Sequence, residues 1–136
     1  MELILQQGLP HQQKAIDAVC AALEGVTIAP PVQFYENPQI DLRDRRLLAN
    51  LRDLQKAVPA EYRSSIPIGT CLNLDIKMET GTGKTYVYTH TIFELHKRYG
   101  INKFIIAVPS IAIKAGTSTF LNETYVKAHF KNTLGY

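Results

Sequence analysis

The stretch Met78-Glu79-Thr80-Gly81-Thr82-Gly83-Lys84-Thr85 constrains this chain more than any other. Before it, Leu72, Leu74, Ile76 and Met78 alternate with Asn73, Asp75 and Lys77, the two-residue period of a strand. After it, Tyr88, Ile92, Leu95 and Tyr99 recur at helical spacing. Gly100 follows Lys97 and Arg98, which is a helix stop. Phe104-Ile105-Ile106-Ala107-Val108 then reads as a short buried strand. Strand, glycine turn, helix and strand predict a right-handed βαβ crossover, and so an α/β fold with a parallel sheet and flanking helices.

The turn has the chemistry of a phosphate grip. A triphosphate crowds several negative oxygens together, and backbone N–H groups are the densest donors available to it. Gly81 and Gly83 lack a Cβ, so the backbone can turn sharply and approach closely. A helix starting near Gly83 aims its free N–H groups and positive dipole end at the same place. Lys84 would reach the β- and γ-phosphates, and Thr85 would place its hydroxyl on Mg²⁺. The candidate nucleotide-binding residues are therefore Glu79, Thr80, Gly81, Thr82, Gly83, Lys84 and Thr85. Lys84 and Thr85 are the pair expected to bear on phosphate chemistry. The loop departs from G-x-x-x-x-G-K-[ST] at one position, where Met78 stands for the first glycine.

Length and composition limit the rest. The 136 residues suffice for one modest domain, with 46% apolar and 20% charged residues. A net charge of +3 permits a nucleic-acid partner without arguing for one. Cys20 and Cys71 are far apart, which fits reduced thiols and a cytoplasmic setting. The first residues carry no signal-peptide pattern, and no apolar run approaches the about 18 residues of a membrane span. His90, His96 and His129 show no metal-ligand spacing and read as helix surface or core.

Residues 10–24 predict a first helix, with Pro10 in its first turn, an apolar face of Ile16, Val19, Cys20 and Leu23, and Gly25 at its end. Residues 26–40 read as extended or loop. Asp41 is the expected cap of a second helix running to about Ala57 and stopped by Pro59. Arg43, Arg45, Arg46, Arg52 and Lys56 interleave there with Asp41, Asp44 and Asp53. That pattern reads as a solvated face, with a basic nucleic-acid surface as the alternative. A last helix is expected from about Ser118 to Lys131.

Two further sites flank the loop. Leu9-Pro10-His11-Gln12-Gln13-Lys14-Ala15-Ile16 places glutamines at a helix start. A glutamine amide has a donor and an acceptor, so it can pair with adenine N6 and N7. Val108-Pro109-Ser110-Ile111-Ala112-Ile113-Lys114-Ala115-Gly116 follows the second strand, where open parallel sheets bind ligands. Pro109, Ser110 and Lys114 are candidate contacts to nucleic-acid phosphates. An ordinary strand-to-helix turn is the competing reading.

Taken together, LPHQQKAI at 9–16, METGTGKTY at 78–86 and FIIAVPSIAIKAG at 104–116 resemble the Q motif, motif I and motif Ia of superfamily 2 helicase motors. The combination looks most like the N-terminal end of the Res subunit of type III restriction enzymes, whose Q motif and motif I are also far apart. Helicase-like motors tolerate methionine at the first loop position. The resemblance implies a partial RecA-like P-loop domain over residues 1–136 with an N-terminal helical segment. Its Q motif would lie at about 9–16, a helical insertion at about 26–70, motif I at 78–85 and motif Ia at 107–116. It implies ATP and Mg²⁺ as cofactors, with Gln12 rather than Gln13 on adenine and Tyr86 at the nucleotide edge. It further implies translocation on double-stranded DNA, a nuclease domain downstream and a methyltransferase (modification) partner. The residues present stop before the acidic motif II, so a fragment inactive by itself is expected. Another superfamily 2 helicase, or a non-catalytic binding remnant, is the alternative.

Overall fold

Residues 8–63 and 71–136 are described in the computed structural model; the last residues of the expected insertion, 64–70, lie outside them. The first helix, α1, spans Pro10–Ala22. Pro10 suits its start because the missing N–H is one the first turn leaves unbonded anyway. Ala15, Ile16, Val19, Cys20 and Ala22 are buried, so the face expected from spacing is the face that packs. Gly25 then turns the chain with a φ of 69°.

The insertion begins with a two-stranded antiparallel ribbon. β1 (Ile28–Ala29) pairs with β2 (Gln39–Ile40), Ile28 opposite Ile40. The second helix, α2, spans Arg45–Lys56 and is capped by Asp44, one turn later than expected. Asp44 accepts from the backbone N–H of Arg46 at 2.7 Å and of Thr27 at 2.9 Å. These two bonds, that from Thr27 first, hold its carboxyl below the usual range. Asp41 instead accepts from the N–H of Arg43 at 2.9 Å in the preceding turn. Leu47 is fully buried, and Asn50 donates to the Ala22 and Glu24 carbonyls at 3.2 and 2.9 Å. Those contacts satisfy carbonyls at the end of α1 and fix α2 against it.

The third helix, α3, spans Lys84–Tyr99. Left-handed glycines bound it, Gly83 at φ 87° and Gly100 at φ 69°, as the sequence predicts. Its buried residues are Tyr86, Val87, Thr89, His90 and Thr91, rotated from the expected stripe, and Tyr88, Ile92, Leu95 and Tyr99 are half-buried. One side of α3 packs on α1: Val87 joins Ala15, Ile16 and Cys20, with Met78 against them. The Tyr99 hydroxyl also donates to the Cys20 carbonyl at 3.0 Å.

The fourth helix, α4, spans Ile111–Asn122, and α5 spans Thr124–Ala128, followed by a π-helical turn over His129–Thr133. The last helix thus starts earlier than expected and breaks at Glu123. Ser110 explains the start, because its hydroxyl accepts from the Ile113 N–H at 3.3 Å as a cap. Val126 and Phe130 pack with Tyr86 on the other side of α3.

The expected parallel sheet is absent among the described residues. Residues 71–79 and 101–108 form no strand, and the only ladder is β1–β2. Both segments line one cleft of about 470 Å³ beside α3, bounded by Ile76, Met78, Val87, Ile92, Phe104 and Ile106. A strand exists only through bonds to a neighbour, and open space separates these two. At 102–103 the bonding is done by a side chain instead. Asn37 Oδ1 accepts from the Asn102 and Lys103 N–H groups, each at 2.9 Å, and its amide donates to the Lys103 carbonyl at 2.8 Å. Several apolar residues that mark the segments as strand-like therefore stay in solvent, among them Leu74, Ile76 and Ile106, with Ile105 at 96% exposure. No helix among the described residues is long and apolar enough to cross a membrane.

Candidate nucleotide-phosphate site

The loop from Met78 to Thr85 is built around Thr82. Gly81 and Gly83, on either side, hold φ values of 82° and 87°, a region that side chains disfavour. The Thr82 hydroxyl donates to the Glu79 carbonyl at 2.7 Å, closing the turn from inside. The Thr82 carbonyl accepts two bonds from the start of α1, from His11 Nε2 at 3.0 Å and from Gln12 Nε2 at 3.2 Å. The aliphatic contact between α1 and α3 is what brings these distant segments together.

Gly83 is required by its φ; a Cβ there would also lie 2.5 Å from Gln12 Nε2, so the end of that side chain would have to shift. A Cβ at Gly81 would meet nothing within 4 Å, so only the backbone conformation demands glycine there.

Lys84 is the first residue of α3 and is exposed on the cleft. Among the described residues no carboxylate pairs with its ammonium, so its charge is free for a ligand. Thr85, the next residue, is half-buried in the first helical turn. Its carbonyl accepts from the Thr89 hydroxyl at 2.7 Å. A helix of this length carries about half a positive charge at its N-terminus, with N–H groups unbonded there. Two left-handed glycines, a helix N-terminus and an unpaired lysine thus meet at one exposed turn, an arrangement suited to an anion.

The remaining predicted residues divide. Gln12 reaches the loop but is buried at 3% exposure, and its Oε1 has no partner among the described residues. Gln13 is exposed and bonds Asp17 at 2.8 Å, away from the loop. Glu79 and Thr80 are exposed in the turn. Tyr86, expected at a nucleotide edge, is buried. Its ring is buried beside His90, His129 and Phe130, and its hydroxyl is 3.1 Å from His129 Nε2. The helical turn between Lys84 and Tyr86 carries its side chain to the packed side. Burial raises its phenol above the ordinary value. Pro109, Ser110 and Lys114 are exposed together at the start of α4. The Ser110 hydroxyl is engaged as the cap, which leaves Lys114 as the free polar group. The Tyr88 hydroxyl donates to Thr117 at 3.1 Å and ties α4 to α3.

Sequence reasoning missed His11. An exposed histidine at a helix start carries no spacing signal, and its partner is a backbone carbonyl far along the chain. No cluster of three or more His, Cys, Asp or Glu able to hold a metal occurs among the described residues.

Comparison with known proteins identifies the family. The family model described as type III restriction enzyme, res subunit, matches residues 6–134. The chain belongs to that family. It is 38% identical over 131 residues to the EcoPI Res subunit of Escherichia phage P1, covering 93% of this chain and 14% of that protein. It is 39% identical over 132 residues to the EcoP15I Res subunit of Escherichia coli, covering 94% of this chain and 14% of that protein. It is 38% identical over 128 residues to the StyLTI Res subunit of Salmonella typhimurium, covering 93% of this chain and 10% of that protein. The chain therefore spans a small part of the length of the restriction-modification subunits it matches.

Proposed function

We propose that this chain is the nucleotide-binding part of an ATP-driven DNA translocase within a type III restriction system. The observation that supports the reading most is the turn at 81–85, with two left-handed glycines and an unpaired Lys84 at a helix N-terminus. Membership of the Res family supplies the context.

In this reading the loop N–H groups and Lys84 hold the phosphates of ATP. Mg²⁺ is held by the Thr85 hydroxyl together with phosphate oxygens, and supplies charge neutralisation at the transferring group. Gln12 has one buried acceptor, Oε1, without a partner. An unmet buried acceptor is destabilising, and the adenine amino group is a donor that would satisfy it. Pro109, Ser110 and Lys114 face the backbone of double-stranded DNA. The segments at 72–78 and 104–108 become parallel strands of a RecA-like sheet in the longer protein, which covers Ile76, Ile105 and Ile106. A nuclease domain and a sequence-reading modification methyltransferase complete the assembly.

Cleavage of ATP needs an acidic group to hold the metal and orient water, and an arginine finger. The 136 residues offer neither in a recognised motif, so turnover by this chain alone is negligible. Phosphate release, measured with and without double-stranded DNA, stays at the background of the Lys84→Ala variant. DNA-stimulated release that Lys84→Ala abolishes would show that the chain is a complete motor.

A further inference from the structure

We infer that His11 is a positioning residue for the phosphate loop, acting on the peptide between Thr82 and Gly83; the inference rests on the nucleotide-site reading above.

A loop that binds phosphate must turn N–H groups towards the ligand and carbonyl oxygens away from it. A carbonyl aimed inward adds negative charge where charge is already dense. The peptide after Thr82 is the one most able to turn the wrong way, because Gly81 and Gly83 on either side both occupy the left-handed region. Glycine reaches many other backbone states readily, and the local bond from the Thr82 hydroxyl to the Glu79 carbonyl leaves the Thr82 carbonyl itself unheld.

The structure holds it from outside the loop. His11 Nε2 lies 3.0 Å and Gln12 Nε2 lies 3.2 Å from the Thr82 carbonyl oxygen. A carbonyl only accepts, so His11 must carry its proton on Nε2. The two donors come from consecutive residues at the start of α1, and α1 is itself fixed by Ile16 and Cys20 packing on Val87. The carbonyl is thus tied towards α1, and the loop is shaped before a ligand arrives. Prior ordering of this kind strengthens binding by removing an ordering cost from the binding step.

The two donors have different duties. Gln12 is buried, and its Oε1 has no partner among the described residues. His11 is exposed, and its one bond goes to the loop. His11 therefore acts on phosphate affinity alone, whatever base the nucleotide carries.

The test measures affinities of the full chain for MgATP, MgGTP and Mg-tripolyphosphate, the last having no base. An exposed neutral hydrogen bond is worth about 0.5–1.5 kcal/mol, so His11→Ala should weaken all three by about threefold to tenfold. The ATP-to-GTP ratio should not change. His11→Gln, whose amide nitrogen takes the place of Nε2, should restore most of the loss. Thermal unfolding should show both variants folded, since the side chain is in solvent. Unchanged tripolyphosphate affinity in His11→Ala, or a loss confined to ATP, would overturn the inference. So would equal losses in His11→Ala and His11→Gln. Lys84→Ala separates the two levels of the reading. If Lys84→Ala weakens binding and His11→Ala does not, only the role of His11 fails. If Lys84→Ala binds all three ligands as the wild type does, the nucleotide site fails and the role of His11 with it.

Discussion

The two packed sides of α3 are built from different chemistry. Towards α1 the contact is aliphatic: Ala15, Ile16 and Cys20 meet Val87, with Met78 against them. Towards the C-terminal segment it is aromatic and polar. Tyr86 stacks on Phe130 with centroids 5.7 Å apart, and Phe93 stacks on Phe130 at 4.9 Å. His90 and His129 are buried within it at 7% exposure each. The first side positions the phosphate loop, because His11 and Gln12 ride on α1. The second anchors the helix that carries the loop, with Tyr86, two residues after Lys84, packed into it. Loop geometry and helix anchoring are therefore separable.

Two core substitutions test that separation. Phe130→Ala should have the largest effect on stability, about 3–5 kcal/mol by urea unfolding, because a buried ring leaves a large cavity. Nucleotide affinity of the molecules that remain folded should be nearly unchanged. Ile16→Ala should cost about 2–5 kcal/mol. In contrast, it should also weaken nucleotide binding, since α1 would no longer hold its two donors in register. Equal effects of the two substitutions on binding would break the comparison.

Acid should weaken the aromatic side selectively. Burial pushes both His90 and His129 below their ordinary value of 6.5, and the neighbouring Glu94 and Asp17 partly oppose this at His90. His90 also faces Tyr136, whose hydroxyl lies 3.2 Å from Nε2, and His129 faces the Tyr86 hydroxyl. The Nδ1 atoms of both histidines have no partner among the described residues. Above pH 6.5 neither state binds these protons, and the stability of the neutral cluster is fully present. As pH falls below 6.5, the unfolded chain takes up protons first, so stability declines until the lowered folded values are passed. Urea unfolding from pH 7.5 to 5.5 should show this decline, and the double variant His90→Phe, His129→Phe should flatten it. An undiminished slope in that variant would place the acid sensitivity elsewhere.

The same division explains what the sequence revealed. The aliphatic side was legible because Ile16, Val19 and Cys20 repeat at helical spacing and Gly83 and Gly100 punctuate α3. The loop was legible because Gly81 and Gly83 fall where its turn needs left-handed backbone. The aromatic side was not, since Phe130 lies far along the chain from Tyr86 and His90 and the short α5 has no periodic face. The cap of α2 was misplaced because Asp41 and Asp44 are equally good caps locally. Only the Thr27 N–H, from outside the helix, distinguishes Asp44. Residues 72–78 and 104–108 carry strand patterns without strands, because pattern describes a segment and a ladder needs a neighbour. His11 was hidden for a similar reason: its role lies in a bond to a carbonyl that no side-chain pattern records.

The claim that residues 81–85 hold nucleotide phosphates is tested most directly by calorimetric titration of MgATP into the wild-type chain and the Lys84→Ala variant. The account predicts saturable binding to the wild type and at least a tenfold loss in the variant, about 1.4 kcal/mol or more. Wild-type binding that survives Lys84→Ala unchanged, or no wild-type binding at all, would contradict it.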